Sequence, residues 1–95
     1  MENLADIVGS NVTAALANPN ITARWIIMVV SGSGTVRVGG PSVTSTLGLP
    51  IPAGAEFQFP VLSQDAGSTS PYSLREINAY VPTGATLSVA YEPWN

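Results

Sequence analysis

Apolar and polar residues alternate along most of this chain, and the alternating segments are separated by glycine, proline and asparagine. Thr35–Gly39 sets Val36 and Val38 to one side and Thr35 and Arg37 to the other. Ala55–Phe59 puts Phe57 and Phe59 inward and Glu56 and Gln58 outward. Arg75–Val81 directs Ile77, Ala79 and Val81 inward, and Ala85–Tyr91 does the same with Leu87, Val89 and Tyr91. A period of two is the pattern of a strand with one face buried. Thr22–Val30 differs, because Trp25, Ile27 and Val29 share one face while Ile26, Met28 and Val30 share the other. An apolar residue on both faces predicts a strand between two layers, or one whose second face meets another subunit. Trp25 is expected in the core.

The remaining segments are weaker in pattern. Val12–Ala17 reads as a short strand, and Asn18-Pro19-Asn20 as a turn, since both residue types favour turns for backbone reasons. Residues 40–54 carry Gly40-Pro41, Gly48, Pro50, Pro52 and Gly54. Proline cannot donate to a ladder, so this stretch is an edge segment or a looping crossover. Residues 63–73 form a polar loop, long for a hairpin. In residues 1–9, Leu4, Ile7 and Val8 have helical spacing, but Gly9 and Ser10 stop any helix after two turns, too short to stand alone in water. This segment reads as an arm that orders against a neighbour. The fold class expected is all-β: a small antiparallel β-sandwich or barrel of about six strands, with an extended N-terminal arm over 1–9 and a single domain over 10–95.

Composition narrows the function. The chain has 95 residues, 45% hydrophobic and only 9% charged, where an average domain has about 25% charged. Much of its surface must therefore be Ser, Thr, Asn, Gly and apolar groups, better suited to being covered by neighbours than to staying solvated. No cysteine is present, so no disulfide supports a core this small. Oligomerisation is the expected compensation. The net charge is −3, and the basic residues are Arg24, Arg37 and Arg75 alone. Three scattered arginines cannot displace the counterions that nucleic-acid binding requires. No signal peptide is apparent, and Trp25–Val30 is too short to span a membrane, so synthesis in the cytoplasm is expected.

Candidate chemistry is sparse. Without histidine or lysine there is no Ser-His or Ser-Lys nucleophile pair and no Schiff base. A glycosidase would need two facing carboxylates, and the best pair, Glu56 and Glu76, sits at outward positions. Asp65 lies in a Gly/Ser loop without the clustered oxygens calcium needs. The Gly32-Ser-Gly34 and Gly39-Gly40 pieces open no helix and read as turns. Asn11-Val-Thr13 and Asn20-Ile-Thr22 match the glycosylation sequon, read as chance matches in a Thr-rich chain. No enzyme activity, cofactor or metal is expected. The residues expected to meet other molecules are Leu4, Ile7 and Val8 of the arm, Arg24 and Arg37, the aromatics Tyr72 and Tyr80, and Trp94.

The order of these pieces resembles a set of small virion proteins of tailed bacteriophages. The likeness runs through Ala17-Asn-Pro19, Arg24-Trp25, Gly32-Ser-Gly34, Val36-Arg-Val-Gly-Gly40 and Val43-Thr44. It continues through Gly48-Leu-Pro50, Pro52-Ala-Gly54 and Leu87-Ser-Val-Ala-Tyr91, and so covers most of residues 12–92. The resemblance implies a β-sandwich that decorates or cements the capsid, or sits elsewhere on the particle; the arm and the 63–73 loop depart from the pattern. The expectations are a capsid decoration protein on the virion exterior, with the major capsid protein as partner and a homotrimer as a closed symmetric form. The rival expectation is a tail or fibre component that binds a host glycan through Tyr72 and Tyr80.

Overall fold

The computed structural model describes residues 1–62 and 70–94. The segments are β1 (Glu2–Asn3), β2 (Ile7–Val8), β3 (Val12–Ala15), β4 (Thr22–Gly32) and β5 (Thr35–Gly39), followed by β6 (Leu49–Pro52), β7 (Glu56–Gln58), β8 (Tyr72–Ser73), β9 (Asn78–Val81) and β10 (Ala85–Pro93). They form two antiparallel sheets. Sheet A is ordered β1-β10-β4-β7, with β2 continuing β1 along the edge of β10 and β8 continuing β7 along the edge of β4; sheet B is ordered β3-β9-β5-β6. Counting β1 with β2 and β7 with β8 as single positions, the chain fills eight positions in the orders 1-8-3-6 and 2-7-4-5. Successive strands cross repeatedly between the layers, and this is the connectivity of a jelly roll. The β-sandwich expected from the alternation is present, with more positions than the six strands read from sequence.

The core is where the two inner faces meet. Ile26, Met28 and Val30 of β4, Val36 and Val38 of β5, Ala79 and Val81 of β9, and Leu87 and Val89 of β10 are buried there. β4 and β10 pair from Ala85↔Gly32 to Pro93↔Ala23, which makes them the spine of sheet A. The prolines of 40–54 fall as their chemistry requires: Pro50 and Pro52 lie on β6, which pairs with β5 alone.

Two expectations are corrected. Residues 1–9 are placed on their own chain rather than on a neighbour. Glu2 and Asn3 pair with Tyr91 and Ala90, Ile7 and Val8 pair with Leu87 and Thr86, and the Leu4 N–H donates to the Val89 carbonyl at 3.0 Å. The reason is that β10, whose inner face of Ala85, Leu87 and Val89 is apolar, has a free edge opposite β4, and Leu4 and Ile7 cover the core beneath it. Trp25 is not in the core. The ladder slips between Glu92 and Pro93, so that Trp25 faces Glu92, Ala23 faces Pro93, and Arg24 is the extra residue of a β-bulge. Ala23 and Ile26 are buried, and Arg24 and Trp25 between them are both half-buried on the outer side of sheet A. β9 also begins at Asn78, leaving Arg75 and Glu76 exposed in the preceding turn.

Candidate functional site: the two outer faces

The two sheets present different exteriors. The outer face of sheet B is covered by its own chain. The link between β5 and β6 folds back over it: Val43 is 4% exposed and lies outside the main core, against Gly39 and Gly48. The Thr13 hydroxyl donates to the Val43 carbonyl at 2.6 Å, and Arg37 Nη1 donates to the Gly48 carbonyl at 3.1 Å. Thr44 closes the tip, its Oγ1 accepting from the Thr46 and Leu47 N–H groups. Leu47 and Leu49, at the end of this link and the start of β6, are 60% and 46% exposed. Arg37 is thus anchored against backbone, with its Nε buried and unpartnered, and Tyr80 stands directly across the β5–β9 ladder from it.

Among the described residues, no segment folds back over the outer face of sheet A. Down β4 that face carries Trp25, Ile27 and Val29, the last 40% exposed. Beside Ile27 and Val29 on β10 stand Ala90 and Ser88, and beyond them Val8 on β2 is 71% exposed. A shallow groove of about 200 Å³ opens here between Asn3, Asp6, Ile27, Val29, Ser88 and Ala90. It is smaller than a site for a drug-sized ligand. Glu56 pairs across from Val29 and Gln58 across from Ile27, and the Gln58 amide donates to the Glu56 carboxylate at 2.6 Å. An antiparallel sheet with one solvated face normally shows polar residues there, so a tryptophan, an isoleucine and a valine in a row on β4 are a departure.

The residues expected to act as contacts are dispersed. Leu4 and Ile7 pack inward, while Val8 remains outside. Arg24 lies on sheet A and Arg37 on sheet B. The Tyr72 hydroxyl donates to the Pro60 carbonyl at 2.7 Å, and its ring meets Phe59 edge to face with centroids 5.0 Å apart. Burial pushes the Tyr72 phenol pKa up. Tyr72 sits on an edge of sheet A and Tyr80 in the middle of sheet B, so the two do not form one stacking platform. Trp94 is half-buried, its backbone N–H donating to the Thr22 carbonyl at 3.2 Å.

Glu56 and Glu76 are not a facing pair: Glu56 is on β7 with Gln58, and Glu76 is in the turn before β9. Among the described residues no three His, Cys, Asp or Glu side chains gather as a metal site. Asp65 and most of the polar loop lie outside the described residues. What sequence reasoning missed is the role of Val43 as a plug beneath the crossover, for which an isolated valine among Gly, Pro and Ser is the only signal. The chain was compared with protein-family models, curated proteins and solved structures, and none of them matches it.

Proposed function

We propose that this chain is a structural virion protein that binds an assembled capsid lattice from outside and stabilises it. Jelly rolls serve in capsid shells and in sugar-binding domains alike, so topology alone does not choose between them. The observation that carries the reading is the placement of exposed apolar groups. Val8 and Val29 are exposed on sheet A beside the half-buried Trp25 and Ile27, Leu47 and Leu49 are exposed just before and at the start of β6, and Met1, Val12 and Val61 are exposed as well, on an exterior with few charges. A part that joins neighbours needs two contacts, and linked contacts raise each other's effective concentration. Its action is passive: binding the assembled lattice and not free subunits stabilises the lattice by mass action.

The experiment is co-sedimentation of the purified protein with emptied capsids of the phage that encodes it, and separately with unassembled capsid subunits. The reading expects saturable binding to the shells and none to free subunits. Absence of binding to the shells would overturn it.

A further inference from the structure

The outer face of sheet A is laid out to meet its own copy. Along β4, Trp25 stands two ladder positions before Ile27 and Val29 two positions after it. A two-fold axis running across the strands at Ile27 therefore brings Trp25 of each copy over Val29 of the other. The groove beside Val29, walled by Ser88, Ala90 and Ile27, has the volume for one aromatic side chain. The charges follow the same symmetry. Arg24 lies at the Trp25 end, and Asp6 and Glu56 flank the Val29 end. Strands of two face-packed sheets running in opposite directions about 10 Å apart set the cation of one copy over the carboxylates of the other. The Gln58 amide already holds the Glu56 carboxylate at 2.6 Å beside this face.

We propose that a second copy of this chain docks on the outer face of sheet A about this two-fold axis, with Trp25 of each copy seated in the other's groove and Arg24 set against the other's Glu56. The bulge contributes Arg24: Trp25 faces outward by alternation with the buried Ile26, and the extra residue sets Arg24 beside it between Ile26 and the buried Ala23. Four strand positions about 4.8 Å apart and some six residues long give a footprint of roughly 400 Å² per copy. That is about 800 Å² in all, below the roughly 1,000 Å² of a stable interface, so the dimer is weak and forms only at high concentration. Pairing of this kind closes at two copies, which separates it from a trimer. It leaves the Leu47 and Leu49 residues of each copy free, so that a dimer rather than a single chain would offer two contacts to a lattice, and its failure is read from the oligomeric state while failure of the capsid reading is read from shell binding.

The test is sedimentation equilibrium of the full chain from micromolar concentration to about 1 mM, the range in which so small an interface would associate. Native protein is expected to pass from monomer to dimer. Trp25→Ala and Val29→Glu, both on the outer face, are expected to remain monomeric with unchanged circular dichroism. Arg24→Glu and Glu56→Arg are each expected to weaken the dimer by about tenfold or more, and the double reversal to restore most of that loss. A native monomer throughout the range, a trimer, or a double reversal no better than either single one would overturn the proposal. So would a native monomer that loses shell binding on Trp25→Ala, since the face would then belong to the capsid.

Discussion

Asn11 and Thr83 hold each other by two hydrogen bonds: the Asn11 carboxamide oxygen accepts from the Thr83 N–H and its amide donates to the Thr83 hydroxyl, both at 2.8 Å. The pair ties the turn leading into β3 to the turn between β9 and β10, so it clasps one end of the two sheets together. Asn11 has φ 59°, a left-handed conformation that asparagine tolerates better than most residues. Asn11→Ala loses both bonds and strains the turn, and is expected to cost about 1–3 kcal/mol of unfolding free energy. Asn11→Gly relieves the strain and is expected to lose less. Urea titration of both variants checks the order.

Gly9 runs so close to the neighbouring turn that a Cβ would fall inside the Pro82 carbonyl, while its N–H donates to the Ala85 carbonyl at 2.9 Å. A methyl group there must push the N-terminal strands away from β10. Gly9→Ala is expected to destabilise by roughly 1–3 kcal/mol. Gly40→Ala, where a Cβ meets open space, is the control and is expected to leave the melting temperature nearly unchanged.

The inner and outer faces of sheet A differ in what truncation removes. Leu87 is 0% exposed and stands in the ladder between Ile7 and Val30. Leu87→Ala is expected to cost about 2–5 kcal/mol through lost burial and a residual cavity. Val29→Ala, on the outer face, is expected to stay within about 0.5 kcal/mol in dilute solution. Equal losses at the two positions would mean that the outer face is internally packed.

Tyr72 adds a small contribution to stability that depends on alkaline pH. Its pKa is raised above the usual 10.0 because burial disfavours the phenolate. The unfolded chain therefore releases this proton first. The contribution of the neutral phenol to stability is full below pH about 10 and is lost as pH rises through the higher folded value. Tyr72→Phe removes the hydrogen bond to Pro60 and is expected to cost about 1 kcal/mol at neutral pH. Melting curves from pH 8 to 12 are expected to show the gap between native and variant closing at the alkaline end.

Much of this architecture was legible because period-two alternation has one physical reading. Val36 and Val38, Leu87 and Val89, and Ile26, Met28 and Val30 all lie where their spacing put them. Prolines 50 and 52 marked an edge because they cannot donate. Three features were not legible. β1 and β2 are two-residue strands, too short for any period, and they are defined by pairing with a strand 78–89 residues further along the chain. The bulge at Arg24 is a slip in register that leaves no mark in the sequence, and Trp25 read as core because a strand apolar on both faces does not say which face is the inner one. Tyr72 read as a contact in a polar loop, but its ring packs on Phe59, a partner set by tertiary structure. As for function, sparse charge and the lack of a histidine or lysine to activate a nucleophile were legible; the asymmetry between a covered sheet B and a sheet A that no described segment covers required coordinates.

The proposed stabilisation of a capsid lattice is tested most directly by thermal rupture of emptied shells with and without saturating purified protein. The account predicts a higher rupture temperature with the protein present, rising with occupancy, and a smaller rise when Leu47 and Leu49 are replaced by serine. Rupture at the same temperature in both samples would contradict it.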